Sequence, residues 1–238
     1  MARLLKRGDR VRYGPRRRQN KTAAVALVLA GLWAGLGAGM AAADPLRLLA
    51  LGDSLTQGYG LPAGEGLVPQ LQAWLRGQGL DVHVINAGVS GDTTAGGRAR
   101  IDWALAEDPD AVMVALGGND LLRGLPPAEA RANLEAILAT IDARGLPALI
   151  AGLPAPPNYG AGYKADFDAI WPELAAAHDA VLVENLLGPI AALPPETRAE
   201  RGLMQADGIH PSARGVEKVV EALGPRVAEL LARVPQRP

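Results

Sequence analysis

Three serines and three histidines are the only residues of their kinds in this chain of 238 residues. No cysteine occurs, which excludes thiol nucleophiles and thiolate metal sites. A serine hydroxyl becomes an effective nucleophile when a base removes its proton, and the histidine ring titrates in the right range. The chemistry therefore depends on which of these side chains can meet: Ser54, Ser90 and Ser212; His83, His178 and His210.

Ser54 is the serine best placed to act as a nucleophile. It follows a short apolar run and a glycine in the sequence Gly52-Asp53-Ser54-Leu55-Thr56. Ligands of parallel sheets bind outside the carboxyl ends of the strands, so a serine just after a strand is presented to them. Ser90 fits a turn before a helix that starts near Thr93, and Ser212 fits the N-cap of the last helix.

His210 is the predicted base, with Asp207 as its orienting acid. The sequence Asp207-Gly208-Ile209-His210-Pro211 precedes the last helical segment. The i, i+3 spacing lets the carboxylate hold one ring nitrogen while the other faces the serine, as in a catalytic triad. The alternative for Asp207 is a turn or capping role. His83 lies inside an apolar run and His178 ends an alanine-rich helix, so both are predicted to be structural.

Acyl transfer also needs hydrogen-bond donors for the oxyanion that forms when the serine attacks a carbonyl. Gly88 offers a backbone N–H, and Asn119 in Gly117-Gly118-Asn119-Asp120 offers an uncharged amide. Both follow apolar runs. Together with the N–H of Ser54 they form the predicted oxyanion hole, although Gly and Asn are also common after strands for conformational reasons alone.

The order of elements that must position these residues predicts an α/β fold. Short apolar runs alternate with longer segments of helical spacing, which indicates a five-stranded parallel sheet in a three-layer α/β/α sandwich. A break in the last helix is expected at Gly224-Pro225. One domain is predicted over residues 44–238, with strands at Leu46–Leu51, Val82–Ile85, Ala111–Leu116, Ala148–Ala151 and Val181–Val183.

Residues 1–43 have the pattern of a targeting segment. Nine basic residues and one acid occupy positions 1–21, an uncharged run follows, and Ala41-Ala42-Ala43 precedes Asp44. This order predicts a signal peptide and an exported, periplasmic or secreted protein, with a retained membrane anchor as the alternative. Of the 24 basic and 25 acidic residues, 15 and 24 remain in residues 44–238, a net charge of −9. Such an acidic body argues against nucleic acid as a partner.

The four blocks around Ser54, Gly88, Asn119 and Asp207–His210, in that order, resemble those of the GDSL/SGNH hydrolases. The resemblance covers nearly all of residues 46–238. The sequence around these blocks is similar to that of the small bacterial periplasmic enzymes described as combining acyl-CoA thioesterase, arylesterase and lysophospholipase activities.

This resemblance implies a flavodoxin-like sheet, the roles given above for Ser54, Gly88, Asn119, Asp207 and His210, and no cofactor or metal. It also implies a small acyl ester or thioester as substrate, with contact to lipid substrates. Leu121 and Tyr159 are candidates for lining an acyl groove, although most aromatic side chains on helices belong to the core. The segment Gly188–Gln205 does not resemble the sequence pattern of this family, and one interpretation is that it covers the site.

Other functions fit the sequence less well. No G-x-S-x-G elbow surrounds a serine, which disfavours the α/β-hydrolase fold, and no phosphate-binding glycine motif occurs. A metal-assisted hydrolase would need ligands beyond those near His210. A carbohydrate O-deacetylase with the same triad and a non-catalytic secreted binding module remain as alternatives. The oligomeric state is not indicated.

Overall fold

A computed structural model describes residues 44–235. Its five parallel strands form one sheet in the order β2-β1-β3-β4-β5, with β1 (Leu46–Gly52) paired to both β2 (Val82–Gly88) and β3 (Ala111–Ala115). β4 (Ala148–Ala151) and β5 (Val181–Val183) complete it. The predicted three-layer α/β fold and its five strands are confirmed. Among the described residues, no helix is both long enough and apolar enough to cross a membrane.

Ten α-helices and one short 3-10 turn at Pro157–Tyr159 connect and cover the strands of residues 44–235. The helices are α1 (Ser54–Gln57), α2 (Leu67–Gly77), α3 (Thr94–Leu105), α4 (Gly118–Leu122), α5 (Pro127–Asp142), α6 (Ala161–Asp168), α7 (Ile170–Ala177), α8 (Gly188–Ala191), α9 (Pro195–Glu200) and α10 (Ala213–Leu231).

The central strand shows why a nearly continuous apolar run forms a buried strand. Successive side chains of a strand point to opposite faces of the sheet. Leu48 and Ala50 accordingly pack into the core on one face, beneath α2 and α10. Leu49 and Leu51 pack into the other core, beneath α3 and α5. Because both faces are covered, the strand carries no polar alternation.

The predicted break at Gly224-Pro225 is wrong, since α10 runs unbroken from Ala213 to Leu231 with Pro225 inside it. Proline in a helix interior removes one hydrogen bond and costs about 3 kcal/mol. The apolar stripe of α10 continues past the proline and stays buried against the sheet, which offsets this cost. Gly224 has a packing role, because a Cβ there would collide with the ring of Trp74 on α2.

The strand order decides where the candidate site lies. β1 is flanked by strands whose carboxyl ends lie level with its own, because Gly52 is in register with Gly88 of β2 and Ala115 of β3. After β1 the chain adds β2 on one side, and it then returns to add β3, β4 and β5 on the other side. In open parallel sheets, ligands bind at such a topological switch point. Ser54 emerges at this point.

Candidate active site

Ser54, His210 and Asp207 form one continuous chain of hydrogen bonds. The Nε2 atom of His210 lies 2.9 Å from the Oγ atom of Ser54. Its other ring nitrogen, Nδ1, lies 2.6 Å from Oδ2 of Asp207. This is the geometry in which a carboxylate orients the ring and the ring accepts the serine proton. His83 is exposed on β2 and His178 ends α7, and neither approaches Ser54.

Ser54 is the first residue of the four-residue helix α1, and Asp53 is its N-cap. Oδ1 of Asp53 accepts the N–H of Leu55 at 3.0 Å. The Asp53 side chain is buried, and this burial raises its pKa to about 6 against the opposing effect of the Leu55 hydrogen bond. The helix ends at Gly58, whose left-handed conformation lets its N–H and that of Tyr59 both reach the carbonyl of Ser54.

Asp207 and His210 belong to an exposed loop that is shaped by its own hydrogen bonds. Oδ1 of Asp207 accepts the backbone N–H groups of Ile209 at 2.9 Å and His210 at 3.0 Å. The backbone hydrogen bond of His210, together with its ring contact, lowers the pKa of Asp207 to about 2. Asp207 therefore remains ionised and turns the chain while it holds the ring. Ser212 caps α10 directly after the loop, as the sequence predicts.

Asn119 lies in the first turn of α4, at the end of β3, and its side chain is fixed by Asp53. The Nδ2 atom donates to Oδ2 of Asp53 at 3.3 Å. One hydrogen of the amide is thereby engaged, and Asn119 borders the cavity in front of Ser54. The neighbouring Asp120 is buried and accepts from the N–H and hydroxyl of Thr94, at 2.8 and 2.6 Å, so α4 also anchors the start of α3.

Gly88 does not lie at the cavity, contrary to the role predicted for it. Its N–H donates to Oδ1 of Asn86 at 3.0 Å, and Gly88 is not one of the cavity-lining residues. A Cβ at Gly88 would collide with the backbone of Gln57, so this glycine lets β2 pack closely against α1. Gly91, three residues later, borders the cavity instead, and within residues 44–235 its N–H has no hydrogen-bond acceptor. Its φ of +82° is a conformation that favours glycine.

Arg100 of α3 holds the ends of β1 and β2 together beside the loop that carries Gly91. Its guanidinium donates to the carbonyl of Gly52 at 2.9 Å, to the carbonyl of Ala87 at 2.8 Å and to Asp92 at 2.7 Å. Both side chains of the Arg100–Asp92 pair are less than one-fifth exposed. Such an ion pair is costly to break, because the remaining charge stays buried without a partner.

A cavity of about 370 Å³ opens in front of Ser54, and most of its wall is apolar. Leu121, a candidate from the sequence for lining an acyl groove, borders it together with its neighbour Leu122. Tyr159 does not border it. Its hydroxyl donates to the carbonyl of Leu121 at 2.7 Å, so it supports the wall from behind. The apolar and aromatic side chains of the wall are Leu55, Tyr59, Leu121, Leu122, Leu153, Pro154, Leu187 and Ile209; its polar side chains are Asp53, Ser54, Ser90, Asn119 and His210.

The segment Gly188–Gln205 does not cover the site. It forms α8 and α9, and none of its residues borders the cavity of about 370 Å³. In the described part of the chain, Gln205 is the residue of this segment that lines a separate, smaller space beside Ser54. Residues 44–235 contain no group of three or more His, Asp or Glu side chains arranged to hold a metal ion. The predicted signal peptide, residues 1–43, lies outside the described residues.

Comparison with known proteins identifies the family of this chain. The sequence model of the GDSL-like lipase/acylhydrolase family matches residues 50–218. The chain therefore belongs to the GDSL-like lipase/acylhydrolase family. It is 39% identical over 185 residues to the esterase TesA of Pseudomonas aeruginosa, which covers 77% of this chain and 89% of the relative. It is 37% identical over 173 residues to the thioesterase 1/protease 1/lysophospholipase L1 of Escherichia coli K12, covering 72% and 77%.

Solved structures of this GDSL family show the same fold. AlinE4, described as an SGNH-hydrolase family esterase, is 48% identical with a TM-score of 0.63, over 79% of this chain and 97% of that one. The crystal structure of TesA is 38% identical with a TM-score of 0.70, over 77% and 99%. The family resemblance predicted from the four sequence blocks is thus confirmed, and so is its consequence that the protein is a carboxylic ester hydrolase.

Proposed function

We propose that Ser54, His210 and Asp207 are the catalytic triad of an acyl ester or thioester hydrolase. The observation that carries this proposal is the unbroken hydrogen-bond chain from Asp207 Oδ2 through both ring nitrogens of His210 to Ser54 Oγ. A structural role alone gives no reason for a histidine to bridge a carboxylate and a serine hydroxyl at the mouth of an apolar cavity.

The reaction proceeds in two halves through an acyl-enzyme. His210 Nε2 accepts the Ser54 proton as Oγ bonds to the substrate carbonyl carbon, and the carbonyl π electrons move to its oxygen. The tetrahedral intermediate collapses, the bond to the leaving oxygen or sulfur breaks, and His210 gives its proton to that atom. Water then attacks the acyl-enzyme with His210 again as base, and Ser54 regains its proton as the carboxylic acid leaves.

Three donors face the developing oxyanion in this proposal: the N–H of Ser54, the N–H of Gly91 and the Nδ2 of Asn119. All three residues border the same cavity. Gly91 takes the place first expected for Gly88, whose N–H is already donated to Asn86. The N–H of Ser54 has no acceptor within residues 44–235. Donors that are fixed before the reaction are worth much more than solvent donors.

The cavity wall favours a hydrocarbon acyl chain over a sugar. A carbohydrate subsite needs several polar side chains, whereas this wall adds only Asp53, Ser90 and the Tyr59 hydroxyl to those of Ser54, His210 and Asn119. Its other side chains are apolar, and most of them are leucines. Tyr59, Leu122 and Ile209 are exposed at its mouth, where they can contact the chain of a lipid substrate. These features support aryl ester, lysophospholipid or acyl thioester hydrolysis, the activities that the names of the relatives describe.

The test is hydrolysis of p-nitrophenyl acyl esters by the purified protein, with Ser54→Ala as the inactive variant and Ser212→Ala as a matched serine control. We expect Ser54→Ala to lower kcat by at least about 10³-fold. Ser212→Ala removes a helix cap outside the reaction path and should lower mainly stability. Equal rates for wild type and Ser54→Ala would refute the triad.

A chain-length series separates the acyl esterase from the O-deacetylase alternative. We expect kcat/KM for p-nitrophenyl esters to rise from acetyl to hexanoyl or longer, because each buried methylene adds about 0.8 kcal/mol. Release of acetate from acetylated glycans should be slow by comparison. A strong preference for the acetylated glycan would reverse the assignment, although the triad would be unaffected.

We further propose that the protein acts outside the cytoplasm. The support is the order of the basic run, the uncharged run and Ala41-Ala42-Ala43 in the sequence.

A further inference from the structure

Hydrogen bonds within the loop that carries Asp207 and His210 determine its conformation. Another contact is needed to fix the distance of this loop from Ser54. Its base is closed by two backbone hydrogen bonds, from Ser212 N to Leu203 O at 3.0 Å and from Gln205 N to His210 O at 2.8 Å. The side chains at positions 206–209 are exposed. These bonds set the conformation of the loop, but they do not set its distance from the nucleophile.

The side chain of Gln205 crosses from this loop to the chain segment that follows the nucleophile. Its Nε2 atom donates to the carbonyl of Tyr59 at 2.8 Å and to the carbonyl of Pro211 at 3.0 Å. Both hydrogens of the amide are therefore used, one on each side of the gap. An amide group is well suited to this, because it holds two donors in one rigid plane.

Both ends of this connection are one short step from the reacting atoms. Pro211 follows His210 directly in the chain. Tyr59 donates its own N–H to the carbonyl of Ser54 at 3.1 Å, so the path runs from Gln205 through one residue to the nucleophile. The Tyr59 ring also packs on the His210 ring, with centroids 4.7 Å apart and planes tilted by 40°.

Gly60 shows that the sequence makes room for this contact. A Cβ at Gly60 would collide with the Oε1 atom of Gln205, and the φ of +74° places the backbone in the left-handed region. Only glycine fits both conditions without strain. The close approach of the Gln205 amide is thus matched by a residue more than 140 positions away in the sequence.

We propose that Gln205 is a positioning residue for the base. It holds the Asp207–His210 loop at the distance from α1 that keeps His210 Nε2 within hydrogen-bond reach of Ser54 Oγ. This inference rests on the proposed triad, and it assigns to Gln205 an effect exerted through His210 rather than through contact with substrate. Gln205 does not border the large cavity that receives the acyl chain.

The effect is therefore on kcat more than on KM. A displacement of about 1 Å between reacting groups can cost about 100-fold in rate. Gln205→Leu keeps the volume and removes both donors. Gln205→Glu keeps the shape but sets an acceptor against two carbonyl oxygens. Gln78→Leu is the matched control, because Gln78 is exposed at the end of α2.

The experiment measures kcat, KM and the thermal midpoint with a p-nitrophenyl ester for all variants. It includes the double variant of Gln205→Leu with His210→Ala. We expect both Gln205 variants to lower kcat about 10- to 100-fold with KM changed less than 3-fold. Gln78→Leu should match wild type. In the His210→Ala background, Gln205→Leu should lower the residual rate no further, because its effect passes through the missing ring.

A second measurement does not depend on turnover. In the wild type, the proton on Nδ1 of His210 should give a low-field NMR signal because of its short hydrogen bond to Asp207, and exchange broadening should weaken this signal in Gln205→Leu. An unchanged kcat in folded Gln205→Leu and Gln205→Glu would overturn the proposal, as would an equal loss in the His210→Ala background. Failure of both variants to fold would also overturn it in favour of a purely structural role. Absence of activity in the wild type would instead refute the proposed function.

Discussion

Asp53 and Asn119 share a hydrogen bond, from Nδ2 to Oδ2 at 3.3 Å, at the point where the ends of β1 and β3 meet. The other oxygen of Asp53 accepts the N–H of Leu55 and so caps the helix that begins at Ser54. One buried carboxylate therefore fixes two of the three groups that we propose as oxyanion donors. Its burial has a cost in stability that depends on pH.

We expect Asp53→Asn to make the protein less sensitive to pH. The folded-state pKa of Asp53, about 6, lies above the ordinary value of 3.8, so folding favours the protonated acid. The stability from this group is complete below pH 3.8 and is lost as the pH rises through about 6. Between pH 4 and pH 8, ionisation of this carboxyl lowers the stability by about 2 kcal/mol. Asparagine cannot ionise and avoids this change.

Urea unfolding of both proteins between pH 4 and pH 8 measures the difference in unfolding free energy. We expect the stability of Asp53→Asn relative to wild type to increase across this range. The exposed Asp166→Asn is the matched control and should follow the wild type. A difference that stays constant with pH would show that Asp53 has an ordinary pKa in the folded protein.

Asn119→Ala tests the oxyanion hole. The substitution removes the only side-chain donor that we assign there, and the loss of one such donor typically costs about 10² to 10³ in kcat. We expect KM to change little, since the donor acts mainly on the transition state. Steady-state kinetics on a p-nitrophenyl ester measures both constants. Asn158 is an exposed asparagine within the 3-10 turn, and Asn158→Ala should retain wild-type kinetics; an equal loss in both variants would contradict the assignment.

His178→Gln tests an ion-pair cluster at the opposite edge of the sheet. The ring contacts Asp142 at 2.5 Å and Glu135 at 3.1 Å. Burial opposes protonation of the ring, but the hydrogen bonds to these two carboxylates outweigh it and raise the pKa of His178 above its ordinary 6.5. The stabilisation is therefore complete below pH 6.5 and is lost as the pH rises through the folded-state value.

We expect His178→Gln to lower the unfolding free energy by about 1 kcal/mol at pH 5.5 and by less at pH 9. Chemical denaturation at the two pH values measures this, with the exposed His83→Gln as control. A larger loss at pH 9 would mean that neutral His178 is the form stabilised by folding.

The proposed leader predicts a defined new N-terminus. When the chain is expressed with residues 1–43 in a bacterial host, we expect intact-mass measurement of the exported protein to show Asp44 as the first residue. Ala43→Leu places a bulky side chain at the cleavage position and should leave the precursor uncut. Recovery of uncut wild-type chain from the membrane fraction would favour the retained anchor.

The strands, the fold and the family follow from the sequence because each depends on local patterns. The apolar runs predicted all five strands: four match the observed bounds to within one residue, and the second ends three residues before Gly88. Ser54, Asn119 and His210 could be chosen because residue types that can do this chemistry are rare in the chain and each of these three lies where such chemistry is expected. Gly91, the oxyanion donor that we propose in place of Gly88, was not singled out, because the difference lies in tertiary structure: Gly91 borders the cavity, whereas the N–H of Gly88 is donated to Asn86. A signal was available in Ser90-Gly91-Asp92, which has the composition of an exposed turn.

The supporting contacts could not be predicted, since their partners are far apart in the sequence. Arg100 reaches the carbonyl of Gly52 across 48 positions, and Gln205 reaches Tyr59 across 146. Every residue has a backbone carbonyl, so residue type does not indicate which carbonyl will accept the hydrogen bond. The continuity of α10 through Pro225 was also hidden, because the burial that offsets the proline arises from packing against the sheet.

The exposed loop that carries Asp207 and His210 has a consequence for how the enzyme loses activity on heating. Ten residues, Leu203–Ser212, carry both Asp207 and His210, and positions 206–209 at the tip of this loop are exposed. Regions with few buried contacts open locally at a lower free energy than the whole domain unfolds. Heating should therefore abolish activity reversibly while the sheet is still folded. The temperature midpoint of activity loss should lie below the midpoint of the circular dichroism transition.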